Sequence, residues 1–137
     1  MEQLCRLPQL LHLYLPRTQV TDAGLVHFRG LTQLQNLALN GTQLTDAGLV
    51  HLRELSQLQD LILADTQVTD AGLVHFQGLT RLQQLNLSRT QVTDDGLAHL
   101  RGMTLLRQLN LNGTQVTKAG VRQLKKALPS CKIGWKP

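Results

Sequence analysis

Leucine returns along this chain at a constant interval of 24 residues. One series runs Leu10, Leu34, Leu58, Leu82 and Leu106, a second Leu13, Leu37, Leu61, Leu85 and Leu109, and a third Leu15, Leu39, Leu63, Leu87 and Leu111. The second and third series are two residues apart with a polar or variable residue between them. That is the alternation of a short strand with one face buried. Downstream, Leu49, Leu52 and Leu55 and their copies are spaced by three, which predicts a short helix with one apolar side. Neither element can bury its apolar side alone, so each must stack on its copies in neighbouring repeats.

Between strand and helix the polar residues repeat as well. Thr18, Thr42, Thr66, Thr90 and Thr114 follow the third leucine by three residues. Thr-Asp-Ala-Gly-Leu then stands at 21–25, 45–49 and 69–73, becoming Thr-Asp-Asp-Gly-Leu at 93–97 and Thr-Lys-Ala-Gly-Val at 117–121. Thr45 or Asp46 is the expected N-cap of its helix, with the aspartate also favoured by the helix dipole. Repeats are expected at 10–33, 34–57, 58–81, 82–105 and 106–128, all in one domain spanning 1–137. A partial first helix would occupy 1–9. After Pro129, Ile133 and Trp135 keep the strand spacing, which predicts a sixth, capping strand within 129–137 and places Trp135 in the core. A polar final helix carrying Lys118, Arg122, Lys125 and Lys126 suits an end cap.

The motif Leu-x-x-Leu-x-Leu-x-x-Thr-x-Val/Leu, repeated from Leu10 to Val116, resembles the leucine-rich repeat. Its Thr-Asp-x-Gly-Leu continuation is similar to bacterial repeats close to the cysteine-containing subtype. The resemblance implies an α/β fold, a right-handed solenoid bent into a horseshoe arc. A parallel β-sheet would line its concave face and short helices its convex face. It implies a recognition scaffold, with no fixed partner. This chain departs from the family pattern by carrying Thr where Asn or Cys is usual. A hydroxyl donates one hydrogen bond where an amide donates two, so fewer bonds per repeat should hold the turn.

On that fold the residues alternating with the buried leucines face the concave side. Row by row they are His12, Tyr14 and Pro16, then Asn36, Ala38 and Asn40, then Asp60, Ile62 and Ala64. Gln84, Asn86 and Ser88, then Gln108, Asn110 and Asn112, complete the face. The central column begins Tyr14, Ala38, Ile62, an apolar stripe flanked by polar groups, which makes Tyr14 and Ile62 the expected anchors of a contact. Just beyond the strands, Arg17, Gly41, Asp65, Arg89 and Gly113 share one position, the most variable in the repeat. The partner-binding residues expected on these grounds are His12, Tyr14, Asn36, Ala38, Asn40, Asp60, Ile62, Asp65, Gln84, Asn86 and Arg89, engaging a protein.

Other chemistries find less support. His27, His51, His75 and His99 form a column, but adjacent helices lie about 10 Å apart. Two ligands of one zinc must bring their nitrogens within roughly 3–4 Å. No metal and no cofactor are therefore expected. Thr, Asp and His recur near one another, yet the first two are needed as caps and the set is duplicated, so no catalytic residues are assigned and no enzyme or small-molecule substrate is expected. Gln19, Gln43, Gln67, Gln91 and Gln115 suggest a side-chain amide ladder along the turns.

The net charge of +5 is unevenly placed. Residues 1–95 hold six Arg and Lys against nine Asp and Glu, whereas 96–137 hold eight basic residues and no acid. That end is the alternative site, for a polyanion or acidic surface, although nucleic acid is disfavoured by the lack of interleaved aromatics. A third alternative is a recently amplified or designed scaffold with no partner of its own. Cys5 and Cys131 would lie roughly 25 Å apart across the stack, too far for a disulfide, which needs about 7 Å. No signal peptide or membrane span is legible, which favours the cytoplasm. Leu4 and Leu7 beside the first strand's open edge are candidates for self-association.

Overall fold

The computed structural model describes residues 6–137. Six three-residue strands, β1 (His12–Tyr14), β2 (Asn36–Ala38), β3 (Asp60–Ile62), β4 (Gln84–Asn86), β5 (Gln108–Asn110) and β6 (Lys132–Gly134), pair in parallel in chain order. The register is that of the sequence period: Leu13 faces Leu37, Leu37 faces Leu61, and so on to Leu109 and Ile133. Opposite the sheet run α1 (Asp46–Leu49), α2 (Asp70–Leu73), α3 (Asp94–Leu97) and α4 (Lys118–Ala127). The first three are single turns continued by 3-10 helix over Val50–Leu52, Val74–Gly78 and Ala98–Leu100. The three-residue leucine spacing is the period of a 3-10 helix, whose residues i and i+3 eclipse. The partial helix expected over 1–9 falls mainly on residues 1–5, outside the described residues, as do Leu4 and Cys5.

Between the two layers lies a core of stacked leucine columns. Leu34, Leu39, Leu58, Leu63, Leu82 and Leu87 have no exposed surface, nor do Leu49, Leu52 and Leu55. In the first repeat Leu10, Leu13 and Leu15 are only partly buried. Leu7 and Leu11, at 50% and 40% exposure, remain uncovered.

Three hydrogen-bond ladders tie successive repeats beyond the strands themselves. One continues the sheet: the amides of Arg17, Gly41, Asp65, Arg89 and Gly113 donate to the carbonyls of Asn40, Ala64, Ser88, Asn112 and Lys136. A second joins the turns through backbone, with Gln67, Gln91 and Gln115 amides donating to Leu44, Val68 and Val92 carbonyls at 3.0 Å. The glutamine column thus acts through its main chain, and its side chains are exposed.

The third ladder is made of carboxylates. Asp46 Oδ1 accepts from the amide of Thr69 at 2.7 Å and Oδ2 from its hydroxyl at 2.5 Å. Asp22 does the same for Thr45, Asp70 for Thr93 and Asp94 for Thr117. Thr45, Thr69 and Thr93 in turn accept from the amides of Ala47, Ala71 and Asp95 as helix N-caps. The threonine is the cap of its own helix, as expected; the aspartate fixes the cap of the next. Thr21 receives no such carboxylate among the described residues, and the segment that follows it, Gly24–Phe28, is 3-10 helix with no side-chain cap. The Thr18, Thr42, Thr66, Thr90 and Thr114 hydroxyls each donate to the leucine carbonyl three residues back, at 2.7–2.9 Å. Each holds its own turn through that donated bond, and Thr114 Oγ1 also accepts from the Val116 amide at 3.4 Å.

At the far end the register places Ile133 beside Leu109, but Trp135 is half-buried, not in the core as its spacing suggested. Its indole N–H donates to the carbonyl of Val116 at 2.9 Å. In the preceding repeats that carbonyl accepts a glutamine amide from the next turn, so the indole terminates the second ladder.

Candidate binding face

The inner side of the sheet encloses a groove of about 430 Å³. It brings together six of the residues expected there: Tyr14, Asn36, Asp60, Ile62, Gln84 and Asn86. It extends further than expected, over Gln108, Asn110, Asn112, Lys132 and Gly134. The first three were legible as concave positions but left out of the expected site. Lys132 and Gly134 were hidden because the last strand was read as a cap.

Five expected residues do not line the groove. His12 stands exposed at the end of β1. Asn40 lies past β2, where its carbonyl is taken by the amide of Arg17. Ala38 is a correction: it is 4% exposed, flanked in register by Tyr14 and Ile62. A methyl group between two large neighbours is covered by them, so the apolar stripe is interrupted. Tyr14, at 57% exposure, and the half-buried Ile62 stand on either side of the gap.

The two ends of the groove differ in hydrogen-bond character. At the β1–β3 end, the Asn36 amide nitrogen donates to Asp60 Oδ2 at 3.0 Å and lies 3.5 Å from the Tyr14 hydroxyl. This is an acceptor-rich end with one carboxylate. At the β4–β6 end, Asn86 Oδ1 accepts from the Ser88 amide and hydroxyl at 3.0 and 2.7 Å. Asn110 Oδ1 accepts from the Asn112 amide at 3.0 Å. These local turns fix which end of each side-chain amide faces inward. The shielded Oδ1 of Asn112 has no partner among the described residues.

The remaining two expected residues, Asp65 and Arg89, lie on a ridge beside the groove and bind each other. Arg89 Nε and Nη2 reach the two oxygens of Asp65 at 2.5 and 2.6 Å. The hydrogen bond from Arg89 lowers the Asp65 pKa, and the carboxylate raises that of Arg89. The ridge has a backbone cause that residue identity concealed. Arg17, Asp65 and Arg89 have φ of 54°, 58° and 55°, and Gly41 and Gly113 have 71° and 72°. All five occupy the left-handed region, which suits glycine and disfavours any side chain. The variability read there as a binding surface is first a conformational requirement.

His27, His51, His75 and His99 stand apart from the groove, on the helical side. His51 Nδ1 accepts from Arg29 Nε at 2.9 Å. Desolvation, then the Arg29 charge, lowers its pKa. Among the described residues no group of His, Cys, Asp and Glu is arranged to hold a metal ion. Of the basic residues at the far end, the Lys125 ammonium donates to the carbonyl of Cys131, closing the turn after α4. Burial raises the pKa of the Cys131 thiol. Among the described residues no helix is long and apolar enough to cross a membrane.

Comparison with known proteins agrees with this geometry. A family model described as leucine rich repeat matches residues 56–116. A search of curated proteins returns no match. Among solved structures, an internalin (inlF) from Listeria monocytogenes is similar over 98% of this chain, at 21% identity and a TM-score of 0.85. A leucine-rich-repeat protein of Leptospira interrogans is similar over 96%, at 22% identity and a TM-score of 0.66. The chain spans 37% and 38% of these two proteins. The leucine-rich-repeat ectodomain of the receptor kinase SOBIR1 from Arabidopsis thaliana is similar over 80% at 19% identity, with a TM-score of 0.57.

Proposed function

Because the chain is a leucine-rich-repeat protein, we propose that it binds a protein partner on the concave strand face. Leucine-rich-repeat folds serve in general as protein–protein interaction modules, and their solenoid curvature creates extended binding surfaces. The observation that carries the reading is the groove, in which Tyr14 and Ile62 project amid Asn36, Asp60, Gln84 and Asn86. An exposed aromatic on a rigid strand loses little entropy on binding and suits the centre of a contact. The reading includes an absence of catalysis. It is supported by the commitment of each Thr–Asp pair to the frame, which leaves its hydroxyl and carboxylate no free proton-transfer role.

The alternative site is the basic end. Lys118, Arg122 and Lys126 are exposed there, while Lys125 is tied to Cys131. The groove, with its defined lining of strand residues, is favoured over it.

A photoreactive amino acid at exposed Gln84 in the groove, and separately at exposed Val74 on the convex side, tests the choice. Crosslinks to a protein from Gln84 and none from Val74 are expected. Crosslinks from Val74 alone would overturn the concave reading.

A further inference from the structure

We propose that the β4–β6 end of the groove recognises an acidic side chain of the partner's peptide segment, through Asn86, Asn110 and Lys132. This rests on the concave face being the binding face and adds the chemistry of one half of it. The turn bonds decide the orientation of the amides. With Asn86 Oδ1 held by Ser88 and Asn110 Oδ1 held by the Asn112 amide, the NH2 groups of both residues are left as donors. Two donors in adjacent repeats therefore face one side, and reorienting either would leave a backbone amide unsatisfied.

Lys132, diagonally across β5–β6 from Asn110, adds a positive charge that no carboxylate among the described residues pairs with. Residues 96–137 contain no acid, and the one ion pair among the described residues is Arg89 with Asp65. The neighbour of Asn110 in register is Gly134, so β6 places no side chain of its own opposite Asn110, and Asn110 Oδ1 and Asn112 Nδ2 border the space there. A Cβ built at Gly134 would approach nothing closer than 3.9 Å. Two fixed N–H donors, an exposed ammonium and a glycine opposite Asn110 suit a carboxylate, which accepts hydrogen bonds and cannot donate. At the opposite end Asp60 already engages Asn36 and would repel a second carboxylate. The groove is thereby polarised along the strand-stacking direction, with an acidic end and a donor end. A segment lying across the strands should place its acidic residue over β5 and β6.

The test titrates the 15N-labelled protein with the terminally blocked peptide Ala-Ala-Glu-Ala-Ala and with its glutamine twin, reading side-chain amide and Lys132 resonances. Saturable shifts at Asn86, Asn110 and Lys132 are expected with the glutamate peptide. Binding about tenfold weaker is expected for the glutamine twin and for Lys132→Gln, the scale of one charge-assisted hydrogen bond. Asn110→Asp is the control for folding. Its carboxylate can still accept from the Asn112 amide, so the turn stays closed while the donor is lost, and glutamate-peptide binding should disappear. Equal response to both peptides would overturn the proposal, as would no saturable shift with either. Shifts confined to the exposed cations of α4 would also overturn it and point to net charge alone. A partner crosslinked from Gln84 but indifferent to Lys132→Gln and Asn110→Asp would leave the concave reading standing and remove this one.

Discussion

The carboxylate of Asp94 lies where the Cβ of any residue but glycine at position 120 would stand. Asp94 is held there by the amide and hydroxyl of Thr117, at 2.8 and 2.5 Å. The helix that Thr117 caps, α4, thus carries a glycine in its first turn because of an aspartate from the preceding repeat. Gly48, Gly72 and Gly96 face Asp22, Asp46 and Asp70 in the same way. The glycine of the Thr-Asp-Ala-Gly motif is a seat for a carboxylate.

That relation predicts a change of sign. Gly120→Ala alone should destabilise the protein, although alanine normally favours a helix by about 1 kcal/mol. Asp94→Ala should also destabilise, by about 1–3 kcal/mol, because two hydrogen bonds to a charged acceptor are lost. In the double variant the collision is gone, since the nearest atoms to a Cβ at 120 all belong to Asp94. The Gly120→Ala step should then be neutral or stabilising. Urea unfolding of the four proteins checks this through the coupling energy, and strict additivity would refute the seat.

The left-handed ridge gives a second test. Arg17 adopts φ 54° and its side-chain stem lies over Gly41. Removing a side chain from that conformation recovers roughly 1–2 kcal/mol, offset by about 0.5–1 kcal/mol for the greater freedom of unfolded glycine. Arg17→Gly should therefore raise stability by up to about 1.5 kcal/mol, and Arg17→Val should lower it. A destabilising glycine would mean that the arginine stem contributes more than its backbone costs.

Acid should weaken the contact between His51 and Arg29. His51 Nδ1 accepts from the guanidinium, so its proton competes for the same lone pair. Burial, then the Arg29 charge, holds the folded pKa below the ordinary histidine value. The unfolded chain then binds more protons in that window, so this contribution to stability is full at neutral pH. It declines as pH falls through the ordinary value of about 6.5 toward the lower folded one. In Arg29→Gln the His51 midpoint should rise, as measured by ring-nitrogen NMR. An unchanged midpoint would remove the guanidinium from the explanation.

Trp135 closes the turn ladder by donating to Val116 at 2.9 Å. Trp135→Phe keeps an aromatic group, though a smaller one, but removes the donor, leaving unpaired a carbonyl that is satisfied in other repeats. A loss of about 1 kcal/mol is expected by circular dichroism in urea. Faster amide exchange should concentrate in α4 and β6, and a uniform effect over all repeats would contradict a terminal role.

The parallel strands, their register and the leucine core were legible because one spacing specifies all three. What escaped the sequence were contacts whose partners sit in the next repeat. Asp46 was read with its own helix, whereas its oxygens serve Thr69. Ala38 was read as exposed from alternation alone, but its exposure depends on the size of Tyr14 and Ile62 beside it. The ridge was missed because arginine does not announce a left-handed backbone, although Gly41 and Gly113 in the same column were the available signal. Trp135 satisfied the strand spacing while its indole was needed elsewhere.

The most direct measurement is the affinity of the partner recovered by crosslinking from Gln84, followed through substitution on both candidate surfaces. Calorimetry should find binding weakened about tenfold or more by Tyr14→Ala and by Ile62→Ser, as for residues at the centre of a contact. It should fall with moderate salt by no more than the loss of the Lys132 contact, about tenfold, and change little with charge reversal at Lys118, Arg122 and Lys126. Binding that ignores Tyr14 and Ile62 but collapses with salt and with those reversals would contradict the account and assign recognition to the basic end.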